Sequence, residues 1–435
     1  MHDSLHLSPL EFSELMAPMG CSAGENLAAA VSGGADSLAL TLMLGEWCRN
    51  HDISLTALTV DHGLRTEAAA EARQVADWLK HYDIAHVTLT WDGDKPHSNI
   101  QDQARRARYK LMGEWCRSHG VGQLFLGHHQ DDQAETFLIR LFRGSGVDGL
   151  AAMKPQAAFP VSLPGMDTVC RPLLTVPKDR LKATLRHMGQ AWIDDPSNED
   201  VSYTRIKVRN LLAESGIEGL SVDRMAGTAA RMGRVQSLLM SLTADLEREA
   251  VTCFPEGYAE VAIAPLISAH EEIALRCLAA LLRRISGGTY APRLTRLEAL
   301  YGRLRAGDFA GQTLGGCLIS QLSDNRIRIS REAAGISETC GLGRNSTLIW
   351  DGRFVIKNGT ITGHLKKIEQ ADWQQICHQN PALEKLKFAK VIRDSLPCII
   401  TDTGEVVLPN FIPGFEETGF QAKLKQHFVN DLPVK

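Results

Sequence analysis

Two patterns that would fix a function at sight are missing from this 435-residue sequence. No C-x-x-C pair occurs among its ten cysteines, which are scattered singly from Cys21 to Cys398. That excludes a zinc ribbon and a disulfide framework and suits a reducing cytoplasm. No run of 18 apolar residues occurs, so no membrane-spanning helix is expected. The opening "MHDSLHLSPL" lacks the basic end and apolar run of a signal peptide. A cytoplasmic protein with no membrane partner is the resulting expectation. Aromatic residues are sparse, at 6%, and no excess of positive charge marks the whole chain, whose net charge is −4.

What is present reads as a multidomain globular chain, 44% hydrophobic and 23% charged, too long for one core. Positive charge is concentrated locally. Between Arg276 and Asp308 stand seven arginines (Arg276, Arg283, Arg284, Arg293, Arg296, Arg303, Arg305) against Glu298 and Asp308. Such a run reads either as a solvated helical face or as a footprint for an RNA backbone.

Over the first 215 residues strands and helices alternate as in a parallel sheet with crossover helices. Strands are expected at 27–31, within 53–63, at 84–91, 123–128 and 169–174. Helices are expected at 36–49, 67–81, 99–118, 131–142 and 178–188. The Gly- and Pro-containing segment 144–168 reads as a lid or binding loop. Helical periodicity dominates from 222 to 250. Residues 314–332 read as a hairpin turned at Asp324-Asn325, and 332–346 as a linker. The expected domains are 1–215, a mainly helical 216–333, and a small α/β or mostly β unit at 346–435.

The segment "LAAAVSGGADSLAL" (28–41) runs from a buried strand through a glycine turn into a helix. Gly33 and Gly34 let backbone N–H groups approach an anion at a helix N-terminus, and Ser32 and Ser37 add hydroxyls. Asp36 belongs at such a site if a divalent cation lies between carboxylate and phosphate. The loop has no P-loop lysine, which points to holding pyrophosphate as a leaving group rather than transferring the γ-phosphoryl group. A plain Gly-Gly turn with an Asp N-cap is the alternative.

The second constellation is "GHHQDDQAETFLIRLFRGSG" (127–146). His128 and His129 leave a strand at the carboxyl edge of the sheet, where open α/β folds bind ligands. Asp131, Asp132 and Glu135 then share one side of the helix. They read either as dipole-favoured first-turn acids or as a site for a cationic substrate, whose ammonium group a carboxylate can pair with and deprotonate. A zinc site is the weaker reading, since adjacent histidines rarely chelate one ion from a single strand end.

Ser32-Gly33-Gly34-Ala35-Asp36-Ser37 after an apolar strand resembles the pyrophosphate loop of the N-type ATP pyrophosphatases. "TVDHGLR" is similar to their adenosine-facing segment, carried by Val60, Asp61, His62 and Arg65. The resemblance implies an adenine nucleotide alpha-hydrolase-like, Rossmann-like sheet domain that uses ATP and Mg²⁺, with Asp36 as the metal contact. "GHHQDDQAET", "RGSGVDGLAAM", "RPLL", "DDPSNED" and "YTRIKVRN" follow in the order seen in the tRNA(Ile)-lysidine synthetase family. "QARRARY", with Arg105, Arg108 and Tyr109, precedes them. By that resemblance the partners are the tRNA(Ile) with anticodon CAU and free lysine. The wobble cytidine C2 oxygen attacks the α-phosphorus of ATP, and the lysine amine then displaces AMP from C2. Asp132 and Glu135, with Asp131 beside them, are expected to recognise and deprotonate lysine. His129 and Arg108 are expected to stabilise the α-phosphate charge or position the base, and Arg205 to contact RNA or the reacting nucleotide. Oligomeric state stays open, a homodimer included. A tRNA thiolation enzyme of the same superfamily and a non-catalytic RNA-binding relative are the competing readings. Against the first stands the missing C-x-x-C, and against the second the intact loop and its acids.

Overall fold

The computed structural model describes residues 6–63, 67–92, 100–163, 166–194, 204–381, 383 and 389–425. Arg65, residues 195–200 of "DDPSNED" and Tyr203 of "YTRIKVRN" lie outside them. Backbone contacts divide the chain into two units, Met1–Ser237 and Leu238–Lys435.

The first unit begins with α1 (Pro9–Met16), whose N-terminus is a capping box of Ser8 and Glu11 followed by Pro9. Then β1 (Asn26–Ala30), α2 (Ala35–Arg49), β2 (Ser54–Asp61), α3 (Ala68–Lys80), β3 (Ala85–Thr90), α4 (Ile100–Ser118) and β4 (Gln123–Phe125) alternate. α5 (Gln130–Phe142), α6 (Val147–Leu150), β5 (Gln156–Leu163), β6 (Met166–Cys170), α7 (Lys178–His187) and α8 (Thr204–Glu214) complete it. The sheet order is β3-β2-β1-β4-β6-β5, parallel except for the antiparallel edge strand β5.

Leu27–Ala30 of β1 are buried, as befits a central parallel strand covered on both faces. The helix after it, α2, buries an almost continuous run from Leu38 to Gly45. Strand order reverses between β1 and β4, so the loops leaving these two strands diverge and open a crevice at the carboxyl edge.

Two expectations change in this unit. Segment 144–168 is not an open lid: α6 and the edge strand β5 occupy much of it, and Phe159 of β5 is buried against Tyr109. The fifth strand ends at Cys170 rather than Leu174, because residues 171–174 turn toward α7 while Leu173 and Leu174 remain buried.

α9 (Val222–Ala250) contains the division between the units. In the second unit a five-stranded antiparallel sheet forms from β7 (Val251–Phe254), β8 (Tyr258–Ala262), β9 (Gln312–Leu314), β10 (Cys317–Gln321) and β11 (Arg326–Arg331). It shares one core with α10 (Ile263–Ser268), α11 (Glu271–Ser286) and α12 (Leu294–Ala306). The hairpin of β10 and β11 turns where Asn325 takes φ +57°. Residues 332–346 are more than a linker: β12 (Cys340–Leu342) lies there, and Ile336 and Leu342 enter the last core. That core is enclosed by two small sheets, β12 with three later strands and a three-stranded sheet of 347–350, 354–358 and 420–424.

Candidate active site

The exit of β1 and the start of α2 form the cradle. Gly33 has φ +86°, and a Cβ there would lie 2.7 Å from Ile193 and 2.9 Å from Val75, so only glycine fits. Ile193 also donates its N–H to the Gly33 carbonyl at 2.9 Å, backing the loop from beyond α7. Ser37 Oγ donates to the Gly34 carbonyl and accepts the Ser32 N–H, and the two serine hydroxyls lie 3.2 Å apart. Behind them, the first turn of α2 directs its N–H groups into the crevice. Ala35, the remaining residue of the loop, is buried against the core.

Gly127, at the exit of β4, closes on this turn. A Cβ on Gly127 would stand 2.8 Å from the Asp36 carbonyl oxygen, so the sheet's two diverging loops touch only because this residue has no side chain. Sequence reading missed its role, although a glycine between a strand and a His-His pair was the available signal.

Asp36, in the first turn of α2, meets two cations. His129 Nε2 is 3.3 Å and Lys178 Nζ 3.4 Å from its Oδ2. Burial opposes ionisation of Asp36, yet His129 and Lys178 hold its carboxyl below the ordinary range. Its Oδ1 is buried with no hydrogen-bond partner. A hard divalent cation shared with phosphate oxygens fits that orphaned oxygen. Among the described residues no group of three or more His, Cys, Asp or Glu side chains could hold a metal on its own.

Lys178 is the second residue sequence reading missed. The loop lacks a lysine, but the N-terminus of α7 supplies one from 142 positions downstream, and its backbone N–H also binds Asp131 Oδ2 at 3.0 Å. Nothing in the local pattern announces a contact of that separation.

His129 is 2% exposed and sits between Asp36, Asp131 and Asp132, the last two each 3.5 Å from a ring nitrogen. Burial disfavours its charge, but the three carboxylates outweigh this and push its pKa up to about 10. Its backbone N–H caps onto Asp132 Oδ2 at 3.0 Å, starting α5. His128, beside it, is pushed down to about 3 by burial and then by Arg171, Arg205 and Arg105, against the pull of Asp132. At neutral pH the His129 imidazole is thus protonated and its neighbour His128 neutral.

Further along α5, Glu135 is 1% exposed and fully engaged: Arg205 Nε donates to Oε2 at 2.6 Å and Arg209 Nε to Oε1 at 2.8 Å. Arg205 Nη2 also reaches Asp132 Oδ1 at 2.9 Å. The two acids expected to face lysine therefore already face an arginine of α8. Arg209, four residues on, shares the same helix face.

At the neighbouring strand end, Val60 packs in the sheet's second core and Asp61 Oδ1 accepts the Gly63 N–H at 2.8 Å. The His62 ring meets Trp91 edge-on at 5.9 Å. Arg108, on the first half of α4, is partly buried.

A PP-loop domain family model matches residues 8–215. The tRNA(Ile)-lysidine synthase of Wolbachia pipientis wMel is 39% identical over 332 residues, 75% of this chain and 76% of the relative. That of Ruegeria pomeroyi is 38% identical over 372 residues, 83% and 85%. The Rhodopseudomonas palustris enzyme of the same name is 38% identical over 312 residues, 68% and 88%. The chain belongs to the tRNA(Ile)-lysidine synthase family. Its N-type ATP pyrophosphatase fold and ATP-using loop are those of a PP-loop member. Among the described residues no helix is long and apolar enough to cross a membrane.

In the second unit the seven arginines separate. Arg276 pairs with Glu272 at 2.7 Å, Arg284 pairs with Glu247, and Arg303 lies over the Phe309 ring at 5.5 Å. Arg283, Arg293, Arg296 and Arg305 stay exposed, and Tyr290, before α12, is 86% exposed.

Proposed function

We propose that the chain ligates lysine to C2 of the wobble cytidine of the tRNA(Ile) bearing anticodon CAU, using ATP, and so changes its identity from methionine to isoleucine. The observation that carries this is the joining, in a PP-loop crevice, of an anion cradle to a buried acid cluster on α5. Family membership supports the reaction, and the geometry supports the roles assigned below.

Ser32–Ser37, the α2 N-terminus and Lys178 hold the pyrophosphate half of ATP, while Val60–His62 face adenosine. Asp36 would hold Mg²⁺, and the ion would supply neutralisation of phosphate charge. Protonated His129 keeps Asp36, Asp131 and Asp132 ionised and oriented, and with Arg108 it faces the charge developing on the α-phosphate. The cytidine O2 bonds to the α-phosphorus and the bond to pyrophosphate breaks. The lysine ε-amine, having lost its proton to a carboxylate of the cluster, then bonds to C2 and AMP leaves.

Arg205 acts as a placeholder cation in this scheme. It keeps Asp132 and Glu135 paired, and the lysine ammonium replaces it, releasing Arg205 toward the RNA. Leaving either carboxylate buried without a cation would be costly, which is why an exchange is preferred over simple entry. The exposed arginines of α11 and α12, with Tyr290, contact the tRNA backbone. We retain 1–215 as the catalytic domain and 216–333 and 346–435 as tRNA-contacting domains of a cytoplasmic enzyme, monomeric or homodimeric.

Purified protein given ATP, radiolabelled lysine and the CAU isoleucine tRNA is expected to label the RNA. Labelling that persists equally without ATP would refute the scheme.

A further inference from the structure

Arg171 follows β6 directly and takes no part in the scheme above. It is 8% exposed. Its backbone N–H is held by the Pro155 carbonyl at 2.7 Å and its Nη1 donates to the Lys154 carbonyl at 3.2 Å. Its Nε is buried with no hydrogen-bond partner. A buried guanidinium N–H left unmatched is costly unless a ligand completes it. One more cation stands at this end of the sheet: Arg105 of α4, which is exposed and lies over the buried Tyr109 ring at 5.2 Å. Among the described residues neither arginine pairs with a carboxylate. The local charge is therefore uncompensated, unlike that around Glu135.

We propose that Arg171, with Arg105, forms a subsite for a phosphate oxygen of the RNA backbone next to the reacting nucleotide. The alternative source of the same chemistry is the α-phosphate of ATP, and topology argues against it. Parallel strands lie about 4.8 Å apart, so Arg171, at the end of β6, is two strands or about 10 Å from the β1 cradle. It lies on the side away from β2, whose end faces adenosine. ATP extending from the cradle toward β2 leaves Arg171 behind. A cytidine approaching across β4 carries its own backbone phosphate beyond its ribose, toward β6. Arginine suits the position because its planar fork can keep the Lys154 carbonyl while presenting Nε to a phosphate. The inference rests on the assignment of adenosine to Val60–His62 and of tRNA as the substrate.

The test measures two affinities separately, for the CAU isoleucine tRNA across a salt series and for ATP by equilibrium dialysis. For Arg171→Gln, tRNA affinity should fall about tenfold and the slope of log K against log salt should shrink by about one. ATP affinity should stay within about twofold. Arg171→Lys, which keeps the charge but not the fork, should retain the salt slope, an outcome a purely structural role would not produce. Should Arg171→Gln fail to fold, the exposed Arg105→Gln carries the same expectation. A fall in ATP affinity with tRNA binding unchanged would give the subsite to the nucleotide and overturn the proposal, as would no change in either. If the wild-type protein itself neither binds this tRNA nor incorporates lysine, it is the underlying functional reading that fails.

Discussion

At the scale of single residues, the site is governed by pairing rather than by isolated reactive groups. His129 holds its proton because three carboxylates surround it, and Glu135 stays buried because two arginines bracket it. Removing one partner strands the other. Glu135→Ala should therefore cost about 3 kcal/mol of folding stability in urea unfolding. That is the lower end of the range for a broken buried pair, since Arg205 and Arg209 are 40% and 37% exposed and can rehydrate. A loss below about 1 kcal/mol would show that the carboxylate is not structurally engaged. Residues whose role is local were legible in the sequence: the turn at Gly33-Gly34, Asp36 in the first helical turn, and the acids of α5. Lys178, Gly127 and Ile193 were not. Each meets the site across a long sequence separation or through the absence of a side chain, and no periodicity encodes either.

At the scale of elements, the crevice is fixed by three helix starts. α2 offers its N-terminus to the anion, α5 starts on the Asp132 cap, and α7 delivers Lys178. α1 is tied to α7 from outside. Arg180 pairs with Glu11 at 2.9 Å, and Thr184 Oγ1 accepts the Leu7 N–H at 2.9 Å. Backbone hydrogen bonding within the Ser8 capping box, and then Arg180, lower the Glu11 pKa to about 2. A carboxylate depressed on folding adds stability above its unfolded pKa and loses it as pH falls toward the folded value. The stability gap between wild type and Glu11→Gln should hold above about pH 4.5 and close between there and pH 2, read from thermal midpoints. A gap unchanged across that interval would contradict the pairing. Central strands and helices were legible here because burial on both faces writes itself as apolar runs. β5 and β12 were missed: β5 is an edge strand interrupted by Pro160, and β12 is three residues long within a glycine-rich stretch.

At the scale of the whole molecule, a net charge of −4 conceals an uneven distribution. The cluster of seven arginines reads in sequence as one run. The structure spends Arg276 and Arg284 on carboxylates and rests Arg303 on a ring, leaving four for solvent. Sequence could not make that division, because Glu247 lies 37 residues from Arg284 and is brought to it only by folding. If the exposed arginines grip RNA, the double variant Arg293→Gln/Arg296→Gln should weaken tRNA binding and reduce its salt slope by between about one and two. An unchanged slope would return these arginines to an ordinary solvated face.

The chemistry of the crevice turns on which phosphoanhydride bond it breaks. Nucleotide products should be quantified in a reaction with ATP, lysine and the CAU isoleucine tRNA. The expected result is one AMP and one pyrophosphate for each lysine joined to RNA. ADP and orthophosphate in that proportion would contradict it.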